Sequence, residues 1–449
     1  MSNDTDSAKF KLPGYATIAK MENEEGDYLY VVAPENRVEV CSACGAIGGM
    51  HIHRSVDLNI RDLPISGHRV GIRIKSHRYR CRHCQQTCGD ELPLIDGKMT
   101  ERLKAKITEE AFFRSFHEVA VDYSVSESIV KQLMEAEALR RDGEYVFECP
   151  EVLGIDEVHL HRHSEFQGVF VKVDPEDGAI LEMSESRSKE AVKMMLRRMA
   201  HPERLKAVTM DMWPAYRTAV EEVFPGIPIV VDRFHVVKAL TECMDTERSH
   251  LGTEIRSVAK KATNQVDKAQ LQKQAVSLKN IALLMRMDGA TLTAQQHKRL
   301  HDALNAYPKL KTLYEIKEAG RMIYEVADTE ERARELYEEW KAEVKASGLN
   351  AFDSFISTVK KWDKEIFAYF TLRITNGQTE GFNRRIKDIA REGRGYSFRT
   401  LRAKVLFGRI PVNEKFDFDS FGAVDFKSAS PRKKYTREIK AGDLPEYQN

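Results

Sequence analysis

Two cysteine pairs constrain the N-terminal part of the chain more than any other feature of the sequence. Cys41 and Cys44 stand in CSACG, and Cys81 and Cys84 stand in CRHC. Two such Cys-x-x-Cys knuckles can complete a tetrahedral thiolate site for Zn²⁺. The sequence therefore predicts a structural zinc site in a small N-terminal module, residues 1–95. Four nearby side chains remain open as alternative ligands, namely His51, His53, His83 and Cys88.

Chain length and cysteine usage indicate a multidomain protein of a reducing compartment. At 449 residues the chain is longer than a single core usually grows. Most of its seven cysteines crowd into one segment, which is typical of a metal site rather than of a disulfide framework. The first residues do not resemble a signal peptide, and no apolar run is long enough to cross a membrane. We therefore expect a cytoplasmic protein with no membrane partner.

The charge is unevenly distributed although the formal net charge is only +1. Basic stretches occur at 68–84 and at 383–404, and acidic stretches elsewhere offset them. Local basic patches decide the binding of polyanions more than the total charge does. The distribution is compatible with a nucleic-acid partner.

Residues 96–145 have the pattern of a helix-turn-helix. A short helix over FHEVAVDY is followed by the break SVS and by a longer helix over ESIVKQLMEAEALRR, which Ser126 can cap. Helical periodicity predicts that Val119, Ile129 and Leu133 pack inward. The outward positions near the start of the longer helix are Glu127, Ser128, Lys131 and Gln132, of which the last three are predicted DNA contacts. An ordinary helical hairpin is the alternative.

After about residue 150 the pattern becomes that of an α/β domain. Three strand-like runs, a helix, a strand, a helix and a strand describe a compact mixed sheet. Residues 238–365 are long, charged and helical, which indicates an insertion between two parts of this domain, 150–237 and 366–410. The tail, 411–449, is predicted to fray or to dock on a partner.

Two buried strand-like runs end in aspartate. VLGIDE closes on Asp156, and Glu157 should face the opposite side by strand alternation; KAVTMD closes on Asp211. Carboxylates at the ends of adjacent strands converge, and they repel each other unless a divalent cation neutralises them. Mg²⁺ prefers a few carboxylates together with water and phosphate oxygens. The pattern therefore predicts a metal site that can act on phosphodiesters.

The stretch RITNGQTEGFNRRIKDIAREGRG supplies a third acid. Four polar side chains share one face of a helix by their spacing of three and four, namely Glu380, Asn383, Arg384 and Lys387. Such a face could present Glu380 to a metal held by Asp156 and Asp211. Asn383 and the cations Arg384, Arg385 and Lys387 are predicted DNA contacts, the cations gripping phosphates. The alternative is an exposed helix with an intrahelical ion pair.

Other titratable residues follow the strands. Asp232 and His235, in IVVDRFH, are predicted to support the site, either as a further ligand pair or as a polar clasp between strand and helix. The histidines of HLHRH, which are His159, His161 and His163, alternate as on a strand. They are predicted to form a strand rim near a phosphate-binding surface, with a metal stripe as the alternative.

Taken together, these motifs resemble the ISL3 family of insertion-sequence transposases, a branch of the bacterial DDE transposases. CSACG and IRDLPISGHRVGIRIKSHRYRCRHC resemble its zinc-binding segment. GIDEVHL, VTMDMWPAY, VDRFHVVK and TNGQTEGFNRRIK resemble its catalytic blocks in family order, so the likeness extends from about Cys41 to Arg409. The resemblance implies a ribonuclease-H-like core with a helical insertion. It also implies a triad of Asp156, Asp211 and Glu380 that binds Mg²⁺ or Mn²⁺, with Asp232 and His235 matching an Asp-x-x-His signature.

The function expected from this resemblance is that of a DNA transposase. It would bind the terminal inverted repeats of its element, cleave phosphodiesters with two metal ions and transfer strands to target DNA, working as a homodimer or higher assembly on DNA and associating with the bacterial nucleoid. No covalent intermediate is required, and Tyr396 is expected to pack or to contact the DNA backbone rather than to act as a nucleophile. Two alternatives are a zinc-containing sequence-specific DNA-binding regulator and a metal-dependent nuclease without strand transfer.

Overall fold

The computed structural model describes residues 10–160 and 166–408 of the chain. The predicted C-terminal tail lies outside the described residues, as do His161 and His163. Among the described helices, none is both long and apolar enough to span a bilayer.

The N-terminal module is built on a seven-stranded sheet. Its strands are β1 (Tyr15–Glu22), β2 (Tyr28–Pro34), β3 (Met50–Ile65), β4 (His68–Cys81), β5 (Thr87–Gly89), β6 (Ile95–Asp96) and β7 (Met99–Thr100). Their order is β1-β2-β4-β3-β7-β6, and β5 pairs with the outer end of β4. Apolar side chains such as Val32, Ile72 and Ile74 fill the core of the module. The sheet thus supports the two cysteine pairs at one end of the long β3–β4 hairpin.

The turn of this hairpin follows from two residues, Ser66 and Gly67. Both have positive φ angles, 52° and 84°, as a two-residue turn of type I′ requires. Glycine adopts such an angle without a steric cost. The turn sets the register of β3 against β4 at its own end, and two shifts in register along the hairpin then bring Met50 opposite Cys81.

Three helices follow the sheet, and each begins at a side-chain cap. They are α1 (Glu101–Glu110), α2 (Phe116–Asp122) and α3 (Glu127–Glu144), capped by Thr100, Ser115 and Ser126. The predicted cap at Ser126 and the inward position of Val119 are confirmed.

The inward position predicted for Leu133 is confirmed, since it packs against the apolar core, but the two most deeply buried residues of α3 are others. Val130 and Met134 are fully buried, whereas Ile129 and Leu133 are only partly buried. Helical spacing fixes which residues share a face, but the position of α1 and of the last described helix decides which face is covered.

The α/β domain contains a five-stranded mixed sheet. Its strands are β8 (Val152–Val158), β9 (Gln167–Lys172), β10 (Ala179–Ser184), β11 (Ala207–Met210) and β12 (Ile229–Val231). The order is β10-β9-β8-β11-β12; β8, β9 and β10 are antiparallel neighbours, while β8, β11 and β12 run parallel. The central strand β8 therefore joins the antiparallel half of the sheet to the parallel half.

Helices cover both faces of this sheet. Helices α4 (Lys189–Arg197) and α5 (Pro214–Val223) pack on one face through residues such as Leu196 and Tyr216. Helices α14 (Gly377–Glu392) and α15 (Phe398–Phe407) pack on the other through Ile386 and Val405. The result is a three-layer arrangement in which the run of apolar residues in β8 is buried on both faces.

A large helical segment separates β12 from α14. Its described helices are α6 (Arg233–Lys261), α7 (Gln265–Asn280), α8 (Ala282–Arg286), α9 (Ala294–Asn305), α10 (Pro308–Val326), α11 (Glu330–Ser347), α12 (Asp353–Lys361) and α13 (Asp363–Leu372). They share an apolar core that includes Trp340, Trp362 and the end of β12. The boundaries expected at 237/238 and 365/366 fall inside α6 and α13, because both helices continue without interruption across the change in composition.

Helix α15 joins the three-helix unit α1–α3 to the sheet. Arg402 donates from Nε and Nη2 to the two carboxylate oxygens of Glu182 on β10, at 2.6 Å each, and from Nη1 to Asp142 Oδ1 on α3 at 2.7 Å. The buried ammonium of Lys404 donates to the carbonyl of Ala111 and, at 2.8 Å, to that of Arg114. The contacts of Arg402 with Glu182 and of Lys404 with the two carbonyl groups are buried or partly buried, whereas the bond to Asp142 is exposed; together they hold the unit against the α/β domain.

Candidate functional site

Three aspartates lie at the carboxyl ends of neighbouring parallel strands. Asp156 belongs to the last part of β8, Asp211 follows β11 directly, and Asp232 follows β12 and caps α6. The register pairs Met210 with Ile155 on one side and with Val231 on the other. The residue after each paired position is therefore an aspartate, which brings the three carboxylates to one edge of the sheet.

Two of these carboxylates form a compact cluster with His235 from the first turn of α6. Ligand atoms of Asp156, Asp211 and His235 all lie within 4.8 Å of one another. His235 Nε2 approaches Asp211 Oδ1 at 2.7 Å. Asp232 is buried and takes another role, accepting from the backbone N–H groups of Phe234 at 3.3 Å and Asn376 at 3.5 Å.

The electrostatics of the cluster reflect burial and like charge. Burial and the nearby charge of Asp211 raise the pKa of Asp156 to about 7. Burial alone would lower the pKa of His235, but the close carboxylate of Asp211 and the neighbouring carboxylates of Asp156 and Asp232 outweigh burial and raise it. Burial also raises the pKa of Asp232. The imidazolium form of His235 thus offsets part of the negative charge.

Helix α14 crosses the acidic edge of the sheet at close range. A side chain at Gly154 of β8 would meet Asn376 Oδ1 at 2.7 Å and Val171 at 2.5 Å, so only glycine lets the start of α14 come this near. Buried Asn376 in turn accepts from the Thr379 hydroxyl. This close approach places the first turns of α14 over Asp156.

The polar face predicted for α14 is present and faces the acidic cluster. Asn383 Nδ2 donates to Asp156 Oδ2 at 2.8 Å and to the carbonyl of Glu157 at 3.3 Å. Glu380, Arg384 and Lys387 line the same cleft, although exposed Glu380 is not one of the three residues whose ligand atoms cluster within 4.8 Å.

Arg385 lies away from this face. Its guanidinium donates to the carbonyl of Gly408 at 2.8 Å and does not line the cleft, so the structure does not place it with the other predicted DNA contacts of α14. Its position one residue after Arg384 turns its side chain by about 100° around the helix axis.

The cleft at the acidic cluster has a volume of about 720 Å³. Acids, amides, cations and aromatic rings line it together. Its lining residues beyond those already described include Lys238, Arg391, Trp213, Phe234, Phe166 and His159. A cleft with an acidic floor and basic walls suits a phosphodiester that approaches bound metal.

Glu157 lines the same cleft, but its carboxylate is engaged by Arg187 rather than by the acidic cluster. Both of its carboxylate oxygens accept from Arg187 at 2.8 Å. The guanidinium of Arg187 also lies 4.1 Å from the ring centre of Phe166 and 4.1 Å from that of Trp213. No local sequence pattern indicates this stack, because its members come from separate parts of the chain.

The four predicted cysteines form one cluster in the N-terminal module. The Sγ atoms of Cys41, Cys44, Cys81 and Cys84 all lie within 4.8 Å of one another, and none of the four alternative ligands joins them among the described residues. Each pair is closed by an equivalent bond, from Gly45 N–H to the Cys41 carbonyl at 2.9 Å and from Gln85 N–H to the Cys81 carbonyl at 3.0 Å. Backbone N–H groups of Cys44 and Ala43 lower the pKa of Cys41 to about 7.

The predicted recognition residues of α3 are accessible. Ser128, Lys131 and Gln132 are exposed near the start of the helix, and the Lys131 ammonium has only a loose ion pair with Glu135 at 3.8 Å. Tyr396 packs between the three-helix unit and α15, with its ring 5.0 Å from that of Phe116.

Comparison with known proteins identifies the family. A model for DDE transposases of the ISL3 type, described simply as transposase, matches residues 153–405, which is more than half of the chain. The chain belongs to the ISL3 transposase family. A second model, for the zinc finger of the transposases of IS204, IS1001, IS1096 and IS1165, matches residues 37–84 of this transposase. The predicted family resemblance is confirmed.

Two relatives of this ISL3 transposase are named for insertion sequences. The transposase for insertion sequence element IS1001 of Bordetella parapertussis is 26% identical over 368 residues, covering 81% of this chain and 86% of the relative. The transposase for insertion sequence element IS1557 of Mycobacterium tuberculosis is 21% identical over 270 residues, covering 58% of this chain and 60% of the relative.

Both metal sites of the ISL3 transposase have suitable donors. The zinc-ribbon match and the four-cysteine cluster together support a structural zinc site. At the acidic edge, buried Asp211 Oδ1 finds no well-directed hydrogen-bond donor among the described residues, although His235 Nε2 lies close. Two carboxylates and an imidazole fit a divalent cation such as Mg²⁺ or Mn²⁺.

Proposed function

We propose that this transposase binds the terminal inverted repeats of an insertion sequence and catalyses metal-dependent DNA strand cleavage and strand transfer. The observation that supports this most is the placement of Asp156 and Asp211 at adjacent strand ends, on the floor of a cleft with basic walls. Double-stranded DNA of the element ends and of the target would be the partners. A homodimer or larger assembly on DNA would coordinate the two ends in the bacterial nucleoid.

The catalytic core in this proposal is ribonuclease-H-like. A sheet of order β10-β9-β8-β11-β12, with an antiparallel half and a parallel half joined at β8, supports that assignment. The core would consist of 150–237 and 366–410, interrupted by the helical insertion 238–365. Asp156 would be the acid of the central strand.

In the proposed mechanism Asp156, Asp211 and Glu380 hold the catalytic Mg²⁺ or Mn²⁺ ions. A bound divalent pair would activate water, and later the freed 3′-hydroxyl, and would stabilise the leaving oxygen. Asn383 fixes the orientation of Asp156 by donating to its Oδ2. His235 pairs with Asp211, and we propose that it supports the site rather than replacing Glu380.

Basic residues of the cleft would position the DNA. Arg384 and Lys387 line the cleft beside the acids, where they can neutralise phosphates without reading sequence. The three-helix unit, within 96–145, would act as a helix-turn-helix, with exposed Ser128, Lys131 and Gln132 at the start of α3 in the major groove. The zinc module, 1–95, would assist in recognising the element end.

Cleavage of a labelled duplex that carries an element end and its flanking DNA tests the proposal. Wild type with Mg²⁺ should nick at the element boundary and join the end to a target duplex. Glu380→Gln should bind equally well but cut at least about a hundredfold more slowly, since loss of a metal ligand exceeds the effect of losing an outer partner. Glu392→Gln is the matched control, because Glu392 is an exposed acid at the other end of α14.

The alternatives give different results in the same assay. Metal-dependent cutting without a joined product would indicate a nuclease. Specific binding without metal-dependent cutting would indicate a regulator. If Glu380→Gln cuts as fast as wild type while Asp156→Asn does not, Glu380 is a surface charge and the third metal ligand must be sought at His235.

A further inference from the structure

Two aromatic rings stand apart from all others in the described part of the chain. Trp213 and Phe234 are 37% and 50% exposed, respectively. Every other Phe, Tyr and Trp side chain within 10–160 and 166–408 is buried or partly buried. Both exposed rings line the cleft of the acidic cluster. Single exposed apolar residues are ordinary on protein surfaces, but the concentration of both exposed rings in one polar cleft is not explained in that way.

The ring of Trp213 is held in place. The guanidinium of Arg187 lies between it and Phe166, at 4.1 Å from each ring centre, and Arg187 is itself fixed by the two oxygens of Glu157. Trp213 follows Asp211 by two residues and immediately precedes Pro214, the first residue of α5. A ring that is already ordered and still exposed loses little freedom when a flat ligand stacks on it.

Phe234 borders the acids from the end of the neighbouring strand, β12. It precedes His235, and the two rings are 5.2 Å apart and nearly perpendicular. Its backbone N–H donates to Asp232, which caps α6, so the helix start determines where the ring is presented. One ring therefore accompanies each of these two members of the cluster: Trp213 stands two residues after Asp211, and Phe234 precedes His235 in the first turn of α6.

We propose that Trp213 and Phe234 stack on nucleobases that leave the double helix at the scissile phosphate. This inference rests on the proposed function and adds its ligand, an unpaired base beside the cleaved bond. Paired bases present only their edges, whereas an unstacked base offers a π-face that any aromatic ring can bind. The neighbouring cations Arg384 and Lys387 line the same cleft and can contact the phosphates of the same nucleotides.

The test uses the full-length transposase with element-end duplexes in which one boundary nucleotide is 2-aminopurine. Binding is followed with Ca²⁺, so that the fluorescence of the probe base reports unstacking without cleavage. Cleavage is then measured with Mg²⁺ on a fully paired duplex and on one that carries mismatches at the boundary. The proteins are wild type, Trp213→Ala, Phe234→Ala and the ring-preserving variants Trp213→Phe and Phe234→Tyr.

The proposal predicts a substrate-dependent defect. The fluorescence of the probe base should change on binding to wild type and to the ring-preserving variants, and the change should be lost in the alanine variants. On paired DNA each alanine variant should cleave about tenfold to a hundredfold more slowly, which corresponds to one lost stacking contact. On mismatched DNA, which is already unpaired, most of that loss should disappear.

Two outcomes would overturn it. Alanine variants that cleave paired DNA at the wild-type rate would remove any role of the rings, and an equal defect on paired and mismatched DNA would indicate a structural role. The fluorescence experiment tests the proposal independently of catalysis. If the DNA binds but the fluorescence of 2-aminopurine does not change at any boundary position, the proposal is contradicted. Failure of wild type to bind or cut the element end would instead refute the proposed function.

Discussion

The buried clasp between Arg402 and Glu182 makes a quantitative prediction about stability. Glu182 has no exposed surface, and Arg402 neutralises it through two hydrogen bonds at 2.6 Å. In Arg402→Met the carboxylate would keep only the backbone N–H of Met183 at 2.7 Å and a distant ion pair with half-exposed Arg198 at 3.7 Å. The substitution therefore leaves a buried charge almost without compensation.

The expected loss is about 3–5 kcal/mol in the free energy of unfolding, since this is the range for removing one partner of a buried ion pair. The hydrogen bond from Arg402 to Asp142 should contribute much less to stability. Asp142 is 42% exposed in its side chain, so Asp142→Asn should cost no more than about 1 kcal/mol. The double variant Arg402→Met, Glu182→Met should recover most of the stability, because a buried pair can be replaced by apolar groups of similar size at little cost.

Urea unfolding followed by far-ultraviolet circular dichroism measures these differences. Wild type, Arg402→Met, Glu182→Met and the double variant form a double-mutant cycle, and Asp142→Asn is a separate control. The coupling energy between positions 182 and 402 should exceed about 2 kcal/mol. If the free energy of unfolding of Arg402→Met lies within about 1 kcal/mol of that of wild type, the carboxylate of Glu182 must be hydrated or protonated without cost. The reasoning from burial would then be wrong.

Three further predictions concern the zinc site and the junction of the three-helix unit. Cys81→Ser should abolish stoichiometric zinc retention, as measured by metal analysis of the purified protein, because it removes one of four clustered thiolates; retention of one zinc ion would contradict the four-cysteine assignment. Gln85 has a left-handed φ of 61° where the other knuckle has Gly45 at 72°, so Gln85→Gly should raise the stability of the zinc module by roughly 0.5–1 kcal/mol in thermal unfolding, and an unchanged or lower stability would contradict the argument from strain. Burial lowers the pKa of Lys404 to about 8, below its ordinary value of 10.5. The unfolded chain then binds more protons between pH 8 and 10.5, so this group makes stability rise with pH across that window, by about 3 kcal/mol in all, and Lys404→Met should lack this rise in urea titrations at stepped pH.

Local rules predicted the elements of the site well because the relevant patterns are short. Apolar runs that close on Asp156 and Asp211 identified strand ends, and spacing on α14 identified the face that carries Glu380 and Asn383. Such rules could not predict the hydrogen bond from Asn383 to Asp156. It joins residues 227 positions apart and depends on how closely Gly154 lets α14 approach.

Other features required the tertiary structure. The position of His235 beside Asp211 follows from α6 starting directly at Asp232, whereas the sequence suggested only a supporting pair near a strand end. The two most deeply buried residues of α3, Val130 and Met134, were not predicted, because packing against α1 and α15 decides which positions are fully covered. Exposure of Trp213 and Phe234 could not be predicted either, since aromatic residues next to strands are usually core residues.

The contacts of α15 also bear on how such proteins diversify. If the three-helix unit were attached only by a flexible linker, it could be exchanged as a whole between related proteins. Here an incoming unit would have to supply Asp142 and the carbonyl groups of Ala111 and Arg114 in the same positions, or leave Arg402 and Lys404 buried with fewer partners. If the three-helix unit recognises DNA as proposed, new DNA sequence preferences should arise through single substitutions on the exposed face of α3, while the residues that join the unit to α15 change slowly.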